Sequence, residues 1–435
     1  MLDVGVIGAG ALGLMAAWQL ARAGCRVRVI EREPTVGGLV VTSTIGGGAI
    51  ERFYHHLFRS DRRIIRLIGE LGLADRLIWG RPPTALRCAG TSYRFDTPLS
   101  VLRFPLLPFH DRLRLGLVVA YLKAVGEPSR FERETAAAWL RRMMGERAYR
   151  VVWEPQLRGK LGAYAEQVSM AWFWARVHDR SSSLGYLRGG FGQLYERLAV
   201  AIQQRGGVVR TGEAVEWIGR IDGRPAVRTR AGLEQFDQLV VTLPTALFLR
   251  LAPELPAAYR QQYLSASPHL GAHNVVVGIR QRLQWSYWLS LCEPGYPFLV
   301  LVEHTNFLPP ADYGGLHVLY LGNYLPHDHP LFALSDAETL RQLLPALRRL
   351  NPAFEESWVR EAQVNRAPFA QPVVTPGYRE RQPPFETPWP NVWLANMGMV
   401  YPHDRGQNYS LLLGEAVADR VLAAAPRPAL AAQVG

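Results

Sequence analysis

Gly8, Gly10 and Gly13 follow the apolar run Val4-Gly5-Val6-Ile7, and Glu31 closes a second apolar run, Arg26-Val27-Arg28-Val29-Ile30. A strand that turns at the first glycine, admits a pyrophosphate beside the second and packs a helix closely at the third makes a dinucleotide site. The phosphates then lie against the positive end of the helix that begins around Ala11 and Leu12. Glu31 stands about 20 residues past the glycines, where a carboxylate can accept hydrogen bonds from both hydroxyls of an adenosine ribose. The expected ligand is a dinucleotide whose adenosine ribose carries no phosphate. Arg32 continues the same stretch.

Gly37-Gly38, followed by Leu39, selects between cofactors. The pair is similar to the Gly-Gly that follows the ribose carboxylate in FAD enzymes of the glutathione-reductase type, where it lets backbone pass beside the pyrophosphate. FAD is therefore expected rather than NAD. No second strand followed by GxGxxG occurs, so no dedicated NAD(P)H domain is expected.

These residues need an α/β frame around them. With 435 residues and 48% hydrophobic composition, the chain can bury a large core divided between two intertwined domains. The formal charge of +12 comes almost wholly from dispersed arginine, Lys123 and Lys160 being the only lysines, and no basic block marks a nucleic-acid site. Cys25, Cys88 and Cys292 match no metal spacing and no disulfide framework, which points to a reducing cytosol. The first strand begins at once, leaving no room for a signal peptide. The stretch Leu99 to Ala124 mixes Leu, Phe, Pro and Val with Arg103, Arg112, Arg114 and Lys123. That composition fits a peripheral membrane contact as well as an amphipathic helix on its own core, the preferred expectation. The pairs His55-His56 and His327/His329 lack a third ligand at helical spacing, so no metal is expected.

Along the chain, Ser60 is placed to cap a helix carrying Ile64, Leu67 and Ile68, and Pro82-Pro83 mark departure from the nucleotide-binding part. Gly189-Gly190 opens a helix, and the strand 238–243 ends at Pro244. The strand 392–396 leads to a helix from about Tyr409. The expected fold is a discontinuous Rossmann-type FAD-binding domain (1–80, 188–245 and 386–425) with an inserted α+β substrate domain of mixed sheet and helices (81–187 and 246–385). A frayed tail, 426–435, ends the chain.

With these motifs in this order, the chain resembles the FAD-dependent amine oxidase superfamily, which includes protoporphyrinogen oxidase-like enzymes, phytoene desaturases and UDP-galactopyranose mutase. The resemblance implies that Val215 brings backbone to the adenine. It also implies that the segment from Asn396 through Asp404, Arg405, Asn408 and Tyr409 approaches the flavin, Asn396 replacing the family's usual aspartate. Tyr54-His55-His56-Leu57-Phe58 resembles the mutase segment that crosses the flavin, which makes Tyr54 and His56 catalytic candidates. Arg366 is a candidate for an anionic substrate group. The family's water-holding lysine follows a later strand, where this chain has none, so Lys160 does not inherit that role.

The expected activity is hydride transfer from a substrate C–H bond to flavin N5, on a bulky, largely apolar small molecule such as a tetrapyrrole or polyprenoid. Oxygen or a quinone-type acceptor would reoxidise the cofactor. Two alternatives follow from the same residues: a non-oxidative sugar-nucleotide mutase-like isomerase, and an FAD-bound structural component of a membrane-associated assembly.

Overall fold

The computed structural model describes residues 1–264 and 268–425; the expected tail 426–435 lies outside the described residues. Its organising layer is a five-stranded, wholly parallel sheet in the order Val208–Arg210, Arg26–Ile30, Asp3–Ile7, Gln238–Val241, Val392–Leu394. Three distant stretches of chain thus build one sheet. Asp3–Ile7 and Gln238–Val241 are buried along their whole length, the pattern of strands covered on both faces. The helix Ala11–Arg22 leaves the first strand through Gly10 and buries ten of its 12 residues. It is crossed by the last helix, Gln407–Ala424, whose Gly414 lets the two backbones approach: a Cβ there would reach the Leu12 carbonyl.

The second layer is a seven-stranded mixed sheet in the order Val359–Pro372, His269–Ile279, His317–Leu325, Val300–Glu303, Trp288–Leu291, Thr84–Cys88, Thr91–Arg94. Only Trp288–Leu291 and Thr84–Cys88 run parallel; the other neighbours are antiparallel. Period-two alternation gives this sheet two apolar faces. Val276, Val300, Val318 and Tyr320 join the core of the nucleotide-binding half. Val275, Val277, Leu319 and Leu321 pack on the opposite side with Leu343 of the helix Asp336–Leu343.

Val215 begins a strand, Val215–Ile221, of a separate three-stranded antiparallel sheet. One local expectation changes. Ser60 gives its hydroxyl to the Asp179 carbonyl and does not cap the helix Arg62–Glu70. Cys88, at the end of the strand Thr84–Cys88, and Cys292, just past the neighbouring strand Trp288–Leu291, meet with their free thiols hydrogen-bonded.

Within Leu99 to Ala124, the helix Phe109–Ala124 buries Leu115, Val118 and Leu122. Its other face exposes Phe109, Leu113, Leu117 and Tyr121, each four residues from the next, beside exposed Leu99 and Leu102. The helix therefore packs on its own core and also presents an apolar stripe. No helix among the described residues is long and apolar enough to cross a membrane.

Candidate active site

The glycine cradle is fixed by sterics. Gly8 has φ of +102° and Gly37 of +116°, conformations that side chains rarely adopt. A Cβ on Gly13 would overlap the Gly8 carbonyl, so the helix can start this close to the strand only with glycine there. Gly37 donates to the Ala9 carbonyl at 2.8 Å and bridges Gly10, while Gly38 lies where an added Cβ would be 3.2 Å from the Gly10 Cα. Two backbone segments therefore run side by side at the helix N-terminus, leaving its free N–H groups without side-chain caps. Ala11 and Leu12 are buried in that first turn, and Leu39 is half-buried in the short helix Gly38–Val40.

Glu31 is half-buried at the edge of the cradle. Its two oxygens accept the N–H groups of Ala9 at 2.7 Å and Glu33 at 2.8 Å, which orients the carboxylate and leaves lone pairs on both oxygens. Its backbone receives Glu213, two residues before half-buried Val215. Arg32 is exposed and pairs with Glu33 at 2.7 Å. The donor set fits FAD: a cradle that a Cβ would fill, a free helix N-terminus and an oriented carboxylate.

A second group of side chains converges from four parts of the chain. Tyr54, His55 and His56 follow the strand Gly48–Glu51; Asp404 and Arg405 precede the last helix. The helix Glu154–Leu161 contributes Lys160, and Met170–His178 contributes Trp172 and Arg176. A π-turn, Tyr149–Trp153, leads into the first of these helices, a distortion frequent at functional sites. Asp404 accepts from Trp172 Nε1 at 3.1 Å, is ion-paired with Arg176, and lies 3.5 Å from Lys160 Nζ. Burial alone would raise its pKa, but Lys160, Arg176 and Arg405 hold it well below the usual carboxylate range. Arg405 donates to Tyr324 and, at 3.0 Å, to Gln371; Tyr54 and Tyr324 hydroxyls lie 3.3 Å apart.

Tyr54 stands edge-on to Trp288 at 5.1 Å, and His56 stands edge-on to Phe58 at 5.2 Å. His56 Nδ1 is buried without a partner among the described residues. Burial, Arg180, His55 and Arg176 push the His56 pKa down to about 3, and His55 falls to about 4, chiefly through burial. Burial and these cations favour the neutral His56 ring, which leaves Nδ1 as a hydrogen-bonding group.

Four other expected residues are occupied elsewhere. Arg366 lies on the sheet face of Val364 and pairs with Asp336 at 2.8 Å and the Leu334 carbonyl at 2.7 Å, on the side opposite Tyr320. Asn396 spends its amide on the Leu243 carbonyl, Thr245 and the Gly398 N–H. Asn408 caps the helix Arg62–Glu70, accepting from Arg63 at 2.9 Å and Ile64 at 3.2 Å, the role expected of Ser60. Tyr409 donates to Asp179 at 2.9 Å and stacks on His403. Arg176, Arg180 and Tyr324 were not foreseen. The signal for Arg176 was an arginine closing the otherwise apolar run Met170 to Ala175; Tyr324 offered none.

A family model for flavin containing amine oxidoreductase matches residues 13–422. The chain belongs to this family. It is an FAD-dependent oxidoreductase. Among named relatives, coproporphyrinogen III oxidase of Propionibacterium freudenreichii subsp. freudenreichii is 29% identical over 203 residues, 42% of this chain and only 37% of that protein's length. Reduced UDP-galactopyranose mutase shares the fold at a TM-score of 0.76 and 16% identity, covering 98% of this chain and 97% of that one. Cyclohexylamine oxidase from Brevibacterium oxydans IH-35A shares it at 0.71 and 19% identity, covering 97% and 98%.

Proposed function

We propose that this oxidoreductase transfers a hydride from a C–H bond of a bulky, largely apolar substrate bound beside Tyr54, Trp288 and Tyr324. FAD supplies the hydride acceptor, N5, and oxygen or a quinone-type molecule takes the electrons onward. The segments 1–80, 188–245 and 386–425 hold the cofactor, and 81–187 and 246–385 form the substrate domain. The observation that carries this reading is the aromatic cluster at His56: its ring meets Phe58 and Trp288 at 5.2 and 6.0 Å, and Tyr54 meets Trp288 at 5.1 Å. Aromatic walls exclude water and orient a flat or apolar framework. His56 then orients the substrate through its free Nδ1 instead of carrying a proton charge.

The exposed stripe Phe109, Leu113, Leu117 and Tyr121 supports peripheral contact with a membrane in the cytosol, which would bring such a substrate within reach. A second reading, non-oxidative isomerisation, is supported by the His56–Phe58 ring contact and the fold shared with the mutase. An anaerobic screen of candidate substrates for bleaching of the flavin absorption tests the choice. Bleaching by a C–H donor supports oxidation. Turnover only after photoreduction, with no bleaching by any substrate, overturns it in favour of isomerisation.

A further inference from the structure

We propose that Lys160, Arg176, Arg180 and Arg405 form an anion subsite that receives a carboxylate or phosphate group of the substrate. This rests on the reading of the aromatic cluster as the substrate site and adds a charged anchor to it.

Charge and geometry carry the argument. Four basic side chains face one carboxylate, Asp404, which already accepts from Arg176 and Trp172 and attracts Lys160. Asp179, next to Arg180 in the chain, is spent on His403 at 2.6 Å, Tyr409 at 2.9 Å and His178 at 3.1 Å. The guanidinium of Arg180 makes no hydrogen bond or ion pair among the described residues, while its backbone carbonyl is held by Lys123. Aromatic rings flank the basic groups: Lys160 Nζ lies 4.8 Å from the Tyr324 ring, Arg405 5.0 Å from the same ring, and Arg176 4.9 Å from Trp172.

The cluster is also reachable from solvent. The side chains of Lys160, Asp404 and Arg176 keep 14%, 23% and 31% of their accessibility. Arg180 is exposed, and the surrounding protein and Arg176 pull its pKa down to about 10. Like charges gathered at a partly desolvated site repel one another, and an entering anion relieves that repulsion. Arginine presents paired N–H groups that match carboxylate and phosphate oxygens. The same cluster disfavours a cationic amine.

The anion could also be the cofactor's own pyrophosphate. The glycine cradle is already built for that group from other elements, so substrate is the favoured source, and the two sources separate experimentally. The FAD-loaded protein is titrated with benzene-1,3,5-tricarboxylate and with inorganic pyrophosphate, reading the flavin difference spectrum and the unfolding temperature. Uncharged benzene-1,3,5-trimethanol serves as reference. Binding of either anion, weakened about tenfold or more in Arg176→Gln and in Arg180→Gln with FAD content unchanged, is expected. Arg180→Gln removes no hydrogen bond or ion pair among the described residues, only a ring contact with Phe58 at 6.0 Å, so it keeps the test valid if Arg176→Gln folds poorly. Arg230→Gln, at a side chain 93% exposed, controls for net charge.

Loss of FAD in the Arg180 variant would assign the cluster to the cofactor and overturn the proposal. So would anion affinity that is absent in the parent, or equal in parent and both variants. Because the probes need no turnover, failure of the hydride-transfer reading leaves this result standing, and the converse also holds.

Discussion

The cradle at Gly8–Gly38 and the side-chain cluster at Asp404 are built on opposite principles. The cradle is local, spanning about thirty residues, and its essential atoms are backbone N–H groups exposed by the absence of side chains. The cluster gathers side chains from five remote segments, and its character is the electrostatic sum of groups that are unremarked one at a time. A site made of missing side chains leaves a fixed spacing in the sequence. One made of converging side chains leaves none until the fold is known.

The largest effect should come from breaking the cradle's close approach. Gly13→Ala sets a Cβ into the Gly8 carbonyl, a backbone atom that cannot swing away, so the helix N-terminus must move. Purified variant is expected to carry little or no FAD, measured as flavin released on denaturation and identified as FAD rather than FMN. Full FAD content would mean that the pyrophosphate does not depend on this turn. Glu31→Ala should be milder, weakening FAD by about 1.5 to 3 kcal/mol, the scale of a charge-assisted hydrogen bond lost from a protected site. An unchanged dissociation constant in equilibrium titration would remove the carboxylate from the ribose.

The two regions also differ in how far family likeness carried to single residues. The parallel sheet, its return through 238–241 and 392–394, and the mixed second sheet were legible because apolar runs between glycine and proline punctuation have few alternatives. Asn396, Asn408 and Tyr409 sit in a matching motif, yet their side chains serve the protein's own backbone and Asp179. Arg366 failed for a geometric reason: on a strand, parity decides the face, and two bulges upset counting along Val359–Pro372. Arg176 and Arg180 became visible only when Asp404, more than 200 residues later, arrived beside them.

An intermediate effect tests that distinction at Asn408. If it is a cap and not a cofactor ligand, Asn408→Ala should cost about 1 kcal/mol of stability, within the usual range for a lost N-cap, and leave FAD affinity unchanged. Thermal unfolding should fall by a few degrees in holoprotein and in FAD-stripped protein alike. A loss of FAD affinity with no loss of apo-protein stability would return Asn408 to the cofactor.

The smallest effect at neutral pH should be at His56, where burial and nearby cations decide the outcome. Its pKa in the folded protein is about 3, below the ordinary 6.5, so folding favours the neutral ring. The stabilisation from keeping it neutral is present above pH 6.5. It is lost progressively as pH falls from 6.5 toward 3, because the unfolded chain takes up the proton first. His56→Gln keeps a hydrogen-bonding side chain but removes this titration. Parent and variant should therefore have similar unfolding temperatures at pH 8, and the variant should lose less on acidification to pH 5. His55, His273 and His304, also held low by burial, remain in both proteins and cancel in the difference. Single-turnover flavin reduction, once a substrate is found, should slow by less than the roughly hundredfold expected from removing a general acid or base. Its pH profile should show no inflection near 6.5 that disappears in the variant. Such an inflection would mean that bound cofactor and substrate restore an ordinary pKa to His56, placing proton transfer at this cluster and reducing the arginines to bystanders in the chemistry.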